Sequence, residues 1–369
     1  MDIYAEINGI KYNIKNASDL KEINFDNFDI NTIPSYCLID NKGTNFAISK
    51  WVSPKRTRSY PFERVYNTLS VSKKVTVIPI IKDEGLKGDR DFIQWDTVSL
   101  MSLLNIYVIF AYYSKAEKHR TRENKITKQQ FDNKYIISKI EEMNNYHSSA
   151  LHWNLKETKN TLPNLIEKVK KAYAEIGNQL GVKFHNISGI EKFKKQFKKG
   201  VNEFMQISRQ KAQEAQYREK RTIQPKEALI TTTKATVTID NYLGGLYYFT
   251  TDEVVIQNKT LLLIESKHSK NSKLPSLGDI KDGLLKMILY CNFENVSIGN
   301  NKYKTKPVLK LTSAKLKGRL ASNDGIDEST IFFNKNSLNI KQKELIKKLF
   351  AEGRENNFII LIKEMQIND

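Results

Sequence analysis

Residues 252–267 read DEVVIQNKTLLLIESK. The stretch divides into an apolar run at Val254, Val255 and Ile256, a polar pair at Asn258 and Lys259, and a second apolar run over 261–264. Two short β-branched or aliphatic runs around Asn-Lys predict a β-hairpin, with Asp252 at the outer end of its first strand. Strand side chains alternate, so Leu261, Leu263, Glu265 and Lys267 share one face while Leu262, Ile264, Ser266 and His268 share the other. Glu265 and Lys267 therefore project together from an otherwise apolar strand. Burying part of a carboxylate costs energy unless a cation compensates it. The cation here is Lys267 or a divalent metal.

An acid before one strand, followed by Glu-x-Lys at the end of the next, resembles the active site of the PD-(D/E)XK nuclease superfamily, which includes many restriction endonucleases. The resemblance covers residues 235–295: Asp252 stands 13 positions before Glu265, with a hairpin between them, a strong apolar strand, and a helix-like segment afterwards. The plainer reading of the same residues is an ordinary strand end with a solvated ion pair. The resemblance implies an α/β fold with a mixed β-sheet flanked by helices. It also implies Mg²⁺-dependent hydrolysis of double-stranded DNA, most like a type II restriction endonuclease.

Phosphodiester hydrolysis needs an activated water and positive charge on the developing pentavalent phosphate. Two carboxylates from adjacent strands make a hard oxygen site suited to Mg²⁺. By the resemblance the ligands are Asp252, Glu265 and the backbone carbonyl of Ser266. Lys267 either stabilises transition-state charge or, with a lowered pKa, acts as a base, and sequence leaves both roles open. Asp240 competes for the first-acid role, but it precedes the Gly244-Gly245 turn, and spacing favours Asp252. Superfamily members often add a helical Glu; Glu203, Glu219 and Glu227 are all eligible. Asp282 and Lys286, i,i+4 on the expected helix over 279–291, read as a solvated ion pair. His268 is expected to face away from the site.

The chain has 369 residues, of which 40% are hydrophobic, enough for a core in two or three domains. Its 60 Lys and Arg against 41 Asp and Glu give a formal charge of +19, which favours a polyanionic partner. A lysine-rich solvated surface is the bland alternative. Cys37 and Cys291 lack CxxC spacing, so they read as reduced residues of a cytoplasmic protein. The opening MDIYAEINGIKYNIK has no apolar core of a secretory signal, and no apolar run approaches a membrane span. Five His without clustering give no support to a histidine-metal mechanism, and the absence of a P-loop argues against a nucleotide cofactor.

Three regions are expected: 1–114 α/β, with a possible recognition role; 115–225 a large helical, basic insertion; and 226–369 the nuclease core. In the first, Asn8-Gly9 predicts a hairpin between 3–7 and 10–14, and strands are expected at 35–40 and 45–52. Arg56 and Arg58 sit in a basic loop suited to DNA phosphate contact, and a short helix is expected over 62–70. VTVIPII (75–81), a helix over 96–104 capped by Asp96, and IYVIFAYY (106–113) predict a βαβ unit. The acidic loop over 83–96 carries a possible regulatory or recognition role. From 115 to 221 apolar residues recur at helical spacing, as at Ile136, Ile140 and Met143. Phe193, Phe197 and Phe204 among lysines predict an amphipathic helix with a basic face.

In the third region Lys270 and Lys273 of the loop after Glu-x-Lys are the expected DNA-binding lysines. Strands over 307–312 (PVLKLT), 330–334 and 358–363 (FIILIK), with a helix over 341–352, complete the sheet. Cutting both strands of a duplex suits a homodimer. Two other readings remain: a repair or resolvase nuclease of the same superfamily, or a non-catalytic basic nucleic-acid-binding protein.

Overall fold

The structure is a computed structural model describing residues 1–41, 43–54, 60–198, 202, 204–206, 208, 210, 213–214, 233–241 and 245–365. The fold is mixed α/β and divides into two compact units, residues 1–18 with 211–369, and residues 19–210. These limits differ from the three expected regions because the first strand, β1 (Asp2–Ile7), belongs to the sheet of the C-terminal unit. Among the described residues no helix is long and apolar enough to cross a membrane.

The unit of residues 19–210 is built on strands β2 (Glu22–Asn24), β3 (Tyr36–Asp40), β4 (Phe46–Lys50), β5 (Lys74–Pro79) and β8 (Tyr107–Ala111), in the order β2-β3-β4-β5-β8. Helix α1 (Tyr60–Thr68) lies between β4 and β5. Every residue of β5 is buried, as befits a central strand covered on both faces. The expected βαβ unit is present: β5 and β8 pair in parallel from Val75↔Tyr107 to Pro79↔Ala111, with α2 (Trp95–Leu103) between them. A small hairpin, β6 (Ile81–Asp83) with β7 (Arg90–Phe92), occupies the acidic stretch. Asp96 does not stand at the N-cap of α2, because buried Trp95 already belongs to the first turn; the N-cap position is Gln94, which makes no side-chain capping bond.

The basic segment expected to be helical opens instead with an antiparallel pair, β9 (Tyr113–Lys118) and β10 (Ile126–Phe131). Its apolar residues are few, and Ile126 and Phe131 turn inward at the ends of a polar strand. The expected helices follow as α3 (Asn133–Asn144), α4 (Ala150–Lys156), α5 (Leu162–Leu180) and α6 (Ser188–Lys198). Ile136, Ile140, Met143, Leu165, Ile166 and Val169 are buried as their spacing requires. Gly181, at φ +60°, supplies the left-handed residue that stops α5. Phe193 and Phe204 pack edge to face in the interior, so these two rings are core; the side chain of Phe197 lies outside the described residues.

The other unit carries nine described strands in the order β15-β14-β1-β11-β12-β13-β16-β18-β17. These are β11 (Thr233–Asn241), β12 (Gly245–Gln257), β13 (Thr260–Ser269), β14 (Glu294–Ile298), β15 (Asn301–Lys302), β16 (Lys304–Ser313), β17 (Arg319–Ala321) and β18 (Ile359–Glu364). Helices α7 (Leu277–Cys291), α8 (Ile326–Lys335) and α9 (Ile340–Glu355) complete the unit. The β12–β13 hairpin turns at Asn258, whose φ of +56° is a conformation Asn tolerates. β13, β16 and β18 run parallel and are joined by crossovers containing helices. Residues 330–334, expected as a strand, lie within α8. A short apolar run does not by itself separate strand from buried helix, and Phe332 and Phe333 are buried from the helix.

The Asn8-Gly9 hairpin does not form. β1 pairs in parallel with β11 from Asp2↔Thr236 to Ile7↔Asn241, and residues 11–16 are laced to helices rather than to a strand. The Lys11 N–H donates to Asn292 Oδ1 at 2.8 Å and the Asn13 N–H to Asn356 Oδ1 at 2.7 Å. Fully buried Glu352 accepts from the Tyr12 hydroxyl at 2.8 Å, the Lys15 N–H at 3.1 Å and the Asn16 amide at 2.5 Å. Side chains of α7 and α9 thus take the polar backbone groups that a hairpin would have paired. Glu352→Ala strips three donors of their acceptor and is expected to cost about 3 kcal/mol. A urea denaturation midpoint that does not fall would show the lacing to be dispensable.

Candidate functional site

The β12–β13 ladder runs from Gln257↔Thr260 to Glu253↔Ile264, which brings Asp252 opposite Glu265 at its open end. There the strands part, and the side chain of Asp252 replaces a backbone acceptor: its Oδ2 takes the Ser266 N–H at 2.8 Å. An extended residue directs its N–H and C=O to the same edge, so the Ser266 carbonyl also faces Asp252. Val254 and Leu263, paired one step along on the same face, are buried. Asp252 and Glu265 therefore share the face covered by the core.

Glu265 is 1% exposed and meets two ammonium groups. Lys267 Nζ lies 3.0 Å from Oε1, and Lys286 Nζ lies 2.7 Å from Oε2. Lys267 also donates to Asp282 Oδ2 at 2.5 Å. Among the described residues three carboxylates, Asp252, Glu265 and Asp282, thus face two ammonium groups in a largely buried cluster. The expected solvated pair of Asp282 with Lys286 is not what forms, since each reaches across to β13 instead. Both are carried by α7, whose start the sequence places near Ser276 or Asp279 and whose N-terminus is fixed by Ser276 accepting the Asp279 N–H at 3.1 Å. Asp282, Lys286 and Tyr290 stand at i, i+4 and i+8 on its inward face. Gly283 permits the close approach: a Cβ there would come within 2.6 Å of Leu309 Cδ1 and 3.4 Å of Lys267 Cε.

Burial and the neighbouring Glu265 charge raise the Asp252 carboxyl to about 6, against opposition from Lys286, the Ser266 N–H and Lys267. Burial pushes Glu265 upward too, but Lys286 and Lys267 together hold it below the usual carboxylate range. Burial works against the Lys267 ammonium, yet Glu265 and Asp282 outweigh it and raise its pKa. Lys286 is likewise held firmly protonated by Glu265. In this arrangement the carboxylates hold both ammonium groups protonated.

The remaining sequence candidates separate clearly. Asp240 accepts from the Tyr4 hydroxyl at 3.0 Å and pairs with Leu246, five to six residues and roughly 18 Å along the sheet from Asp252. Glu253 bonds Lys310 at 2.5 Å on the opposite face, and His268 contacts Thr312 there. Lys270 is exposed, while Lys273 donates to the Ser337 carbonyl at 2.7 Å. Arg56, Arg58, Glu203, Glu219 and Glu227 lie outside the described residues. Sequence reasoning passed over Asp282 and Lys286 as site members. Their signal was two charges set among the apolar residues of 280–290, in a helix that also carries Asp279 and Lys281.

Among the described residues no group of three or more His, Cys, Asp or Glu side chains converges as a metal cage. Asp252, Glu265 and the Ser266 carbonyl are nonetheless the donor set that Mg²⁺ takes when it keeps most of its waters. Burial, and after it the neighbouring Glu265 carboxylate, raise the pKa of Asp252, and a cation beside the pair would relieve that repulsion. Both Glu265 oxygens are occupied by ammonium groups, so a divalent ion at this pair requires one of them to give way. A scan against family models finds no matching family, and neither curated proteins nor solved structures show a match.

The charge on Asp252 has a measurable consequence. Its folded pKa of about 6 lies above its ordinary 3.8, so the folded state gains stability as pH falls through this window and loses it as pH rises. Asp252→Asn, uncharged throughout, is expected to exceed the parent in stability by on the order of 2 kcal/mol at pH 8. The advantage should vanish near pH 4 in urea titrations. A variant less stable than the parent at pH 8 contradicts the crowding.

Proposed function

We propose that the chain is a Mg²⁺-dependent endonuclease of the PD-(D/E)XK type that hydrolyses phosphodiester bonds of double-stranded DNA, as a type II restriction enzyme does. The observation that carries this reading is the meeting of Asp252, Glu265 and Lys267 at the mouth of one hairpin. A buried cluster of this kind contributes little net stability, because desolvation offsets the attraction between its members. Titratable groups with displaced pKa values concentrate at functional sites, which favours a chemical role.

Asp252, Glu265 and the Ser266 carbonyl would hold Mg²⁺, which when bound supplies positive charge to the scissile phosphate and acidifies water. Lys267, released from Asp282, donates to the phosphate as charge develops there. Asp282 positions that ammonium, and Lys286 keeps Glu265 ionised. The charge of +19 attracts the DNA backbone, with Lys270 beside the site as a phosphate contact. A homodimer acting on cytoplasmic DNA would bring two such centres to the two strands.

One observation favours a second reading. Both oxygens of Glu265 are saturated by lysines, as they would be in a structural ion-pair cluster of a non-catalytic nucleic-acid-binding protein. Incubation with mixed-sequence plasmid separates the two. The parent is expected to cut in Mg²⁺ and not in EDTA, and Glu265→Ala to lower the rate at least ~100-fold while DNA binding persists. DNA retarded but left intact by the parent in Mg²⁺ would establish the binder. Discrete fragments point to a restriction enzyme, whereas cleavage confined to branched or damaged DNA points to repair.

The acid limb of cleavage offers a further check. Lys286 is foremost in countering the effect of burial on Glu265, so Lys286→Met should move that limb toward neutral pH. A uniformly scaled profile with an unmoved limb would assign Lys286 to packing alone.

A further inference from the structure

The unit of residues 19–210 holds a pocket of about 510 Å³, within the range of small-molecule sites. It is separate from the Glu265 cluster, and nothing in the proposed cleavage uses it. Among the described residues four lysines line it, Lys50, Lys82, Lys125 and Lys128, against one carboxylate, Glu84. Glu84 is shared by Lys82 at 2.9 Å and Lys125 at 3.1 Å, which leaves that wall with excess positive charge. Lys50 is anchored by the carbonyls of Ile30 and Ile33 at 2.7 and 2.6 Å, so its ammonium has a fixed position.

The rest of the lining is of a different kind. Tyr113 stacks on Phe131 with centroids 4.4 Å apart, and Ile126 continues this apolar wall. Val52, another lining residue, is 52% exposed. The Thr127 hydroxyl has no hydrogen-bond partner among the described residues. β10 is bulged between Thr127 and Gln130, and Lys128 sits within the bulge at φ +48°. A left-handed conformation is unfavourable for lysine, and bulges of this kind re-aim side chains beside binding sites. The pair Lys128–Glu117 is exposed on both sides and readily exchanged for another anion.

The geometry points to a nucleotide site: the lysine wall takes a phosphate, and the apolar wall with Val52 takes the attached base. Lysines bind phosphate as point charges, and exposed Val52, backed by the buried edge of Tyr113, Phe131 and Ile126, offers the base an apolar contact. A lone tetrahedral anion would leave most of the volume and all of the apolar wall unused. The phosphate and base can come from a free mononucleotide or from one unit of a single strand, and the test separates these sources.

The full-length protein, in EDTA, is titrated calorimetrically with the four deoxynucleoside 5′-monophosphates, deoxyadenosine, inorganic phosphate and a thymidine pentanucleotide. At least one monophosphate or the pentanucleotide should bind saturably, more tightly than nucleoside or phosphate alone. A pentanucleotide preferred about tenfold or more identifies a strand as the source, and equal affinity a free nucleotide. Lys125→Met should weaken binding about tenfold, and Lys125→Arg should restore it. Glu84→Gln, which removes the competing carboxylate, should tighten it. Glu265→Ala should bind like the parent, so failure of the nuclease reading leaves this result intact. No saturable binding, phosphate alone binding as tightly as any nucleotide, or unchanged affinity in a folded Lys125→Met protein would each overturn the assignment.

Discussion

A carboxylate almost entirely removed from water is the constraint around which the C-terminal unit is arranged. Glu265 remains ionised only because Lys267 from its own strand and Lys286 from α7 both reach it. Removing one partner of such a buried pair costs about 3–5 kcal/mol, far more than the intact pair contributes. The requirement binds β13 to α7 in one register and one separation. Gly283 permits that separation, and buried Ile280, Leu284, Met287 and Ile288 hold it.

The same constraint governs the chemistry. Asp252 is brought against Glu265 where the hairpin opens, and its charge is unfavourable there in the absence of a cation. The protein thus holds a repulsive carboxylate pair beside two lysines, a poor arrangement for stability and the one on which the proposed binding of a hard cation and a phosphate rests. Asp282 matters in this setting as the partner that keeps Lys267 protonated and pointed.

Local patterns succeeded where one element answers to its own residues. The β12–β13 hairpin, the β5–α2–β8 unit, the Ser276 cap and the buried stripes of α3 and α5 follow from side-chain period and capping chemistry. They failed where a distant segment supplied the partner. Asn8-Gly9 reads as a turn, but β11 offers β1 a longer parallel pairing, and Glu352 and Asn356 of α9 take the groups of residues 12–16. The lysine-rich composition around residue 120 hides a two-residue period, so β9 and β10 read as helix. Asp282 and Lys286 look like a surface pair because a helix alone does not reveal which face its sheet will cover.

By itself the sequence determined that an acid, a hairpin and Glu-x-Lys lie within one short stretch, because strand alternation and turn chemistry act over neighbouring residues. It also determined a strongly basic chain with enough apolar residues for a mixed α/β core. Spacing already favoured Asp252 over Asp240 beside Glu265; only the tertiary structure decided that α7 contributes Asp282 and Lys286 to the cluster. It alone joined residues 1–18 to the C-terminal sheet. Those outcomes depend on which surfaces meet, and the free energy of burying a charge is set by partners far away along the chain.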